Sequence, residues 1–62
     1  MKYIVTWCPS GEGVEMLTVL DGDEALTIDQ IMERACAAED ADPELGYRIY
    51  SIVHADNVEV IY

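Results

Sequence analysis

Positive charge is nearly absent from this chain. Lys2, Arg34 and Arg48 stand against 13 acidic residues, and the formal net charge over 62 residues is −10. Binding to DNA or RNA rests on Lys and Arg neutralising phosphates, so direct nucleic-acid binding is disfavoured. Anionic membrane surfaces are disfavoured for the same reason. Long apolar runs are also missing. "MKYIVTWCPSG" breaks at Pro9 and carries no small-residue cleavage site, so it does not read as a signal peptide. Nothing approaches the roughly 20 apolar residues of a membrane span. Cysteine is limited to Cys8 and Cys36. Without a leader the expected setting is the cytoplasm, where thiols stay reduced. A bridge between them would need a first-strand Cys8 to face a helical Cys36.

Catalytic and metal-binding patterns are lacking too. Cys8, Cys36 and His54 are the only soft ligands; they fall on separate elements, without Cys-x-x-Cys or His-x-x-x-His spacing. Both cysteines read as small core hydrophobes, and His54 as a solvated turn residue. "DGDEALTIDQIME" fails as a calcium loop, because Ala25, Leu26 and Met32 occupy the positions that need an oxygen ligand, Gly and Glu. The Gly-x-Gly of "SGEG" has no Lys and no helix after it, and fits a hairpin turn better than a phosphate loop. The chain is one domain, residues 1–62, and a domain of this size buries only about 60% of its unfolded surface. A deep cleft of roughly 300 Å³ or more is not expected. No catalytic residue, metal or cofactor is expected, and the protein does not read as an enzyme.

What is present is a folding pattern. Apolar residues make up 52% of the chain, which argues for a globular domain despite the charge. In "KYIVTWC", Tyr3, Val5 and Trp7 share one face of a strand, and Ile4, Thr6 and Cys8 the other. A Pro/Ser/Gly turn leads to a second strand, Val14 to Leu20, as an antiparallel hairpin. Thr27 and Gln30 have capping-box spacing, and a helix from Ile28 to about Asp40 carries Ile28, Ile31, Met32, Ala35 and Cys36 as one apolar stripe. A start near Asp23 is the alternative. Asp42-Pro43 limits its end. "YRIYSIV" (Tyr47 to Val53) and "VEVIY" (Val58 to Tyr62) read as the third and fourth strands, with "HADN" as the turn between them. The aromatics read as sheet core and cross-strand pairs rather than base-stacking platforms, which need a positive groove. The expected fold is α+β, β-β-α-β-β: a four-stranded, mainly antiparallel sheet with one helix on one face. Strand order stays open, with strands 2 and 3 as neighbours or strands 1 and 4 paired.

The acids are not evenly spread. Asp21, Asp23, Glu24 and Asp29 lie before and at the helix start, where carboxylates favour the helix dipole. Glu39, Asp40, Asp42 and Glu44 lie at and beyond its end, where carboxylates oppose it and no Lys or His compensates. That second group has no evident folding role in the sequence. With Glu33 on the outer face, these nine residues form a negative stripe along a helix roughly 20 Å long. Duplex DNA carries one charge per about 1.7 Å, so such a stripe spans several phosphates and fits a phosphate-binding channel on another protein. The expected partner is a basic DNA-binding protein or complex, met through carboxylate pairs with Arg and Lys.

Small size, strong acidity and the sequences "MKYIVTW" and "YRIYSIVHADNVEVIY" around an acidic centre resemble phage-encoded anti-CRISPR proteins. The resemblance covers the whole chain as a profile, without a shared motif. It implies a non-enzymatic DNA mimic acting on a type I CRISPR surveillance complex, type I-C first, in the cytoplasm of an infected bacterium. It carries over the type of role and no individual residue. A monomer is favoured over a homodimer. The alternative is a small adaptor or homodimerising module that uses a sheet edge or an apolar sheet face, with Tyr50 and Ile61 as candidates.

Overall fold

The computed structural model describes residues 1–10, 13–56 and 59–60. Strand β1 runs Lys2–Pro9, β2 Met16–Asp21 and β3 Tyr47–His54; helix α1 spans Ile28–Ala38. A single 3-10 turn, Pro43–Leu45, lies between α1 and β3. β1 pairs antiparallel with β2 on one side and with β3 on the other. Neither expected strand order holds. β1 takes the centre because it can be covered on both faces: from Tyr3 to Pro9 no residue is fully exposed.

The expected β-β-α-β-β architecture needs correction. The sheet proper is three antiparallel strands, β2-β1-β3, with one helix: a small α+β fold, without a fourth strand of full length among the described residues. Of the expected strand Val58–Tyr62, the pair Glu59–Val60 forms only a two-residue extension opposite Val53 and His54. Val58, Ile61 and Tyr62 lie outside the described residues. The chain leaving β3 is also held by β1. Ala55 N–H donates to Lys2 O at 2.8 Å, and Lys2 N–H donates to Asp56 Oδ2 at 3.3 Å. Strand propensity measures fit to a pleated, half-buried surface, and does not by itself supply a partner.

The helix stripe is nearly as read. Ile31, Met32, Ala35 and Cys36 are buried, while Ile28, at the first turn, is 36% exposed. They pack on Tyr3, Val5 and Trp7 of β1 and Ile52 of β3. Fully burying side chains of this kind is worth about 1.5–3 kcal/mol each, which a domain this small needs. A register shift between Thr6 and Trp7 places one extra residue, Tyr50, on β3. This bulge lets Ile49, opposite Trp7, and Ile52, opposite Val5, both face the helix, and leaves Tyr50 outside the core. Tyr3 and Trp7 are thus core aromatics, whereas Tyr47 and Tyr50 are exposed. Gly46 adopts φ 90°, a region that favours glycine, where the chain turns into β3; its carbonyl accepts from Ser10 N–H at 3.1 Å.

Two small readings change with the fold. His54 ends β3 rather than sitting in a turn: its ring stacks on Tyr3 at 5.1 Å, and Nε2 lies 3.5 Å from Asp56 Oδ2. Only Cys36 belongs to the core. Cys8 lies on the opposite sheet face, half-buried, and both thiols are free. The sheet stands between them, so the native chain cannot bridge them. Burial, and secondarily the charge of Asp42, push the Cys36 thiol up. A group whose pKa is raised on folding leaves stability intact below the unfolded thiol value, about 8.5, and removes it as pH rises beyond. Native protein is therefore expected to show one fast-reacting thiol with an aromatic disulfide reagent. Cys8→Ser should abolish that phase, and Cys36 should react only at the rate of unfolding. Two fast thiols would contradict the placement of Cys36.

Candidate functional site

The nine acids singled out from the sequence come from one stretch of chain, from the end of β2 through α1 to the 3-10 turn. All nine are exposed. Residues 21–44 hold nine of the 13 acids and one base, Arg34, and so carry −8 of the net −10. Lys2 and Arg48 sit elsewhere: they are cross-strand neighbours of Asp21 and of Cys8, on the sheet face turned away from the helix. The charge is therefore divided between two layers.

The helix start is built as the sequence indicates. Thr27 Oγ1 accepts from Gln30 N–H at 3.2 Å, and Gln30 Oε1 accepts from Thr27 N–H at 3.0 Å. Asp29 lies in the first turn, where the dipole favours it. Glu24 meets Arg34 at 3.4 Å, but both side chains are more than half exposed, so the pair adds little.

The helix end corrects the reading that its acids lack a folding role. Glu39 is the C-cap, and its Oε1 accepts from Thr18 Oγ1 at 3.1 Å. Thr18 is 3% exposed and in turn accepts from the buried Trp7 Nε1–H at 2.9 Å. A chain of two hydrogen bonds thus ties the core indole of β1, through β2, to the end of α1. Asp40 adopts φ 56° just beyond the cap. Its N–H donates to Ala37 O at 3.3 Å, and Ala41 N–H donates to Cys36 O at 2.8 Å. That bond pattern is a Schellman ending, with Asp in the place usually held by Gly. Asp42 caps the 3-10 turn, where its Oδ1 accepts from Glu44 N–H at 2.9 Å, and Pro43 opens that turn. Of the second group, the side chains of Asp40 and Glu44 make no contact of this kind among the described residues. Thr18 escaped notice in the sequence; its place between Met16 and Leu20 on the inward-facing alternation of β2 is the signal that marks it.

Cys8 and His54 do not come together. Cys8 pairs with Arg48 and His54 with Tyr3, so the two side chains lie five β1 residues apart, roughly 17 Å. Among the described residues no group of three or more His, Cys, Asp or Glu is placed to hold a metal ion, and no helix is long and apolar enough to cross a membrane. A groove of about 540 Å³ lies at the loop end of β1 and β3, larger than expected for so short a chain. It is open, and among the described residues Arg48 is the only charged side chain lining it. No protein-family model, curated protein or solved structure matches the chain.

The hydrogen-bond chain has measurable consequences. Thr18→Val leaves the buried indole N–H without an acceptor and is expected to cost about 1–3 kcal/mol in urea denaturation followed by the emission of Trp7. Glu39→Gln keeps an acceptor and should cost less than Glu39→Lys. Equal stability of Thr18→Val and the parent would remove the bridge from the account. Asp40→Gly is expected to raise stability by about 0.5–1 kcal/mol, because glycine adopts the left-handed conformation freely. A loss there would mean that the Asp40 side chain does more than occupy the position.

Proposed function

We propose that the protein acts by binding, not catalysis, and presents its helix layer to a basic, nucleic-acid-binding surface of a partner protein. By occupying that surface it excludes DNA or RNA. The observation that supports this reading is the division of charge. Eight of the nine exposed carboxylates lie along the helix layer, while the sheet face behind carries two of the three bases, with Asp21 opposite Lys2. Among the described residues, Asp23, Asp29, Glu33 and Glu44 make no side-chain hydrogen bond or ion pair, so they are available to Arg and Lys of a partner. Glu39, Asp40 and Asp42 already serve the fold. Substituting them tests stability and binding together, so they are poor first probes.

The resemblance to anti-CRISPR proteins makes a type I surveillance complex, type I-C first, the partner to try. Its affinity for the purified protein is expected to fall at least tenfold between about 50 and 200 mM salt, as screening predicts for a charge-driven contact. The variant Asp29→Lys/Glu33→Lys/Glu44→Lys should lose binding while its circular dichroism stays that of the parent. Target DNA should compete for the same site. Affinity that is flat with salt, or a triple variant that binds like the parent, would rule the carboxylate surface out.

A further inference from the structure

β2 is an edge strand, and its hydrogen-bonding pattern can be worked out from its end. The Met1 amino group donates to Gly22 O, and Gly22 N–H donates to Met1 O at 3.0 Å. Met1 and Gly22 therefore exchange both bonds, which defines a hydrogen-bonded pair in an antiparallel ladder. Such pairs alternate. With Tyr3 opposite Leu20, Val5 opposite Thr18 and Trp7 opposite Met16, residues 16, 18 and 20 turn their backbone groups towards β1. Leu17, Val19 and Asp21 turn theirs outwards. Among the described residues β2 pairs with no other strand. The same three side chains lie on the sheet face away from the helix, and Leu17 and Val19 are 65% and 53% exposed. Free backbone groups and exposed apolar side chains at alternate positions make a template for a further strand.

Charge decides which strand fits. A second copy would pair β2 with β2 around a two-fold axis. Outward residues must meet outward residues, so the two registers that overlap most centre on Thr18 or on Val19. The first sets Glu15 opposite Asp21 at both ends; the second sets Glu15 opposite Asp23 at both ends. Like charges directly opposite one another are unfavourable, and the chain as a whole carries −10. The complementary strand has apolar residues opposite Leu17 and Val19, and Lys or Arg opposite Glu15 and Asp21.

We infer that the free edge of β2 binds an extended segment of a partner protein, apolar at alternate positions and basic at its ends, as an added antiparallel strand. This surface is separate from the helix layer invoked above, and neither reading requires the other.

The probe is a fluorescently labelled peptide, Lys-Thr-Val-Thr-Val-Thr-Lys, titrated with the protein at low salt and read by anisotropy. Saturable binding is expected, with the Leu17 and Val19 amides gaining protection from hydrogen exchange. A peptide with Glu in place of both Lys residues should bind about tenfold more weakly or not at all. Val19→Pro removes one outward N–H and no bond to β1, as edge strands tolerate; it should weaken binding about tenfold. The same loss is expected from methylating the peptide nitrogen that faces Val19, which leaves the protein unchanged and holds whether or not the Pro variant folds. The triple Lys variant of the helix layer should bind the peptide like the parent. Absence of saturable binding, equal binding of the Glu-flanked or methylated peptide, or a dimer in light scattering that Val19→Pro dissolves would each overturn the inference.

Discussion

The indole N–H of Trp7 has to find an acceptor inside a domain that has few to offer. Trp7 is fully buried, and an unpaired donor there would cost about as much as one core side chain contributes. Thr18 supplies the oxygen, and so β2 places a hydroxyl where its alternation would otherwise put a third apolar residue. The hydroxyl proton then needs an acceptor of its own, which Glu39 provides from the C-cap of α1. Each step fixes the next: the central strand, the edge strand beside it, and the end of the helix across the sheet. A 62-residue chain has little apolar area to set the helix in one place, and this directional link does part of that work.

That link also recasts the cost of the acidity. Carboxylates at a helix C-terminus oppose the dipole by about 0.3–1 kcal/mol each at low salt. Glu39 offsets this by accepting from a buried hydroxyl, and Asp42 by accepting from a backbone N–H at the next turn. Asp40 offsets little, since its side chain makes no bond among the described residues and its backbone is in a region that glycine occupies more easily. Charge at residues 39–42 is thus a mixture of fold and surplus. The carboxylates that serve no fold at all are spread from Asp23 to Glu44, along the whole outer layer rather than at one end.

Much of the fold was legible because it is local. The alternation of Tyr3, Val5 and Trp7, the capping box of Thr27 and Gln30, and the 3.6-residue spacing of Ile31, Met32, Ala35 and Cys36 each depend on neighbours in sequence. What was not legible depends on partners across the sheet. "VEVIY" has the residues of a strand, and Glu59–Val60 pair with Val53 and His54, but which strand receives it is set by the sheet and not by its own propensity. Strand order failed for the same reason. The bulge at Tyr50 is invisible in a pattern that already alternates badly. At the candidate site, positions and exposure of all nine acids followed from composition, but the roles of Glu39, Asp40 and Asp42 needed Thr18, the left-handed turn and the 3-10 cap.

The two faces of the sheet then follow opposite rules. On the inner face Tyr3 and Thr18 are committed: Tyr3 Oη accepts from Leu26 N–H, and Thr18 is bonded on both sides. On the outer face Ile4 and Val53 are half-buried, and Leu17 and Val19 are more exposed. An exposed apolar edge is a liability that proteins usually blunt with charge or proline. Here the charge sits just beyond the exposed pair, at Glu15 and Asp21, where it opposes pairing with a second copy and leaves the edge open to a strand of opposite sign. Acidity and an open edge are therefore compatible features of one small chain: like charges flanking the edge disfavour pairing with a second copy, and both proposed surfaces would be met by a partner rich in the positive charge that is scarce here.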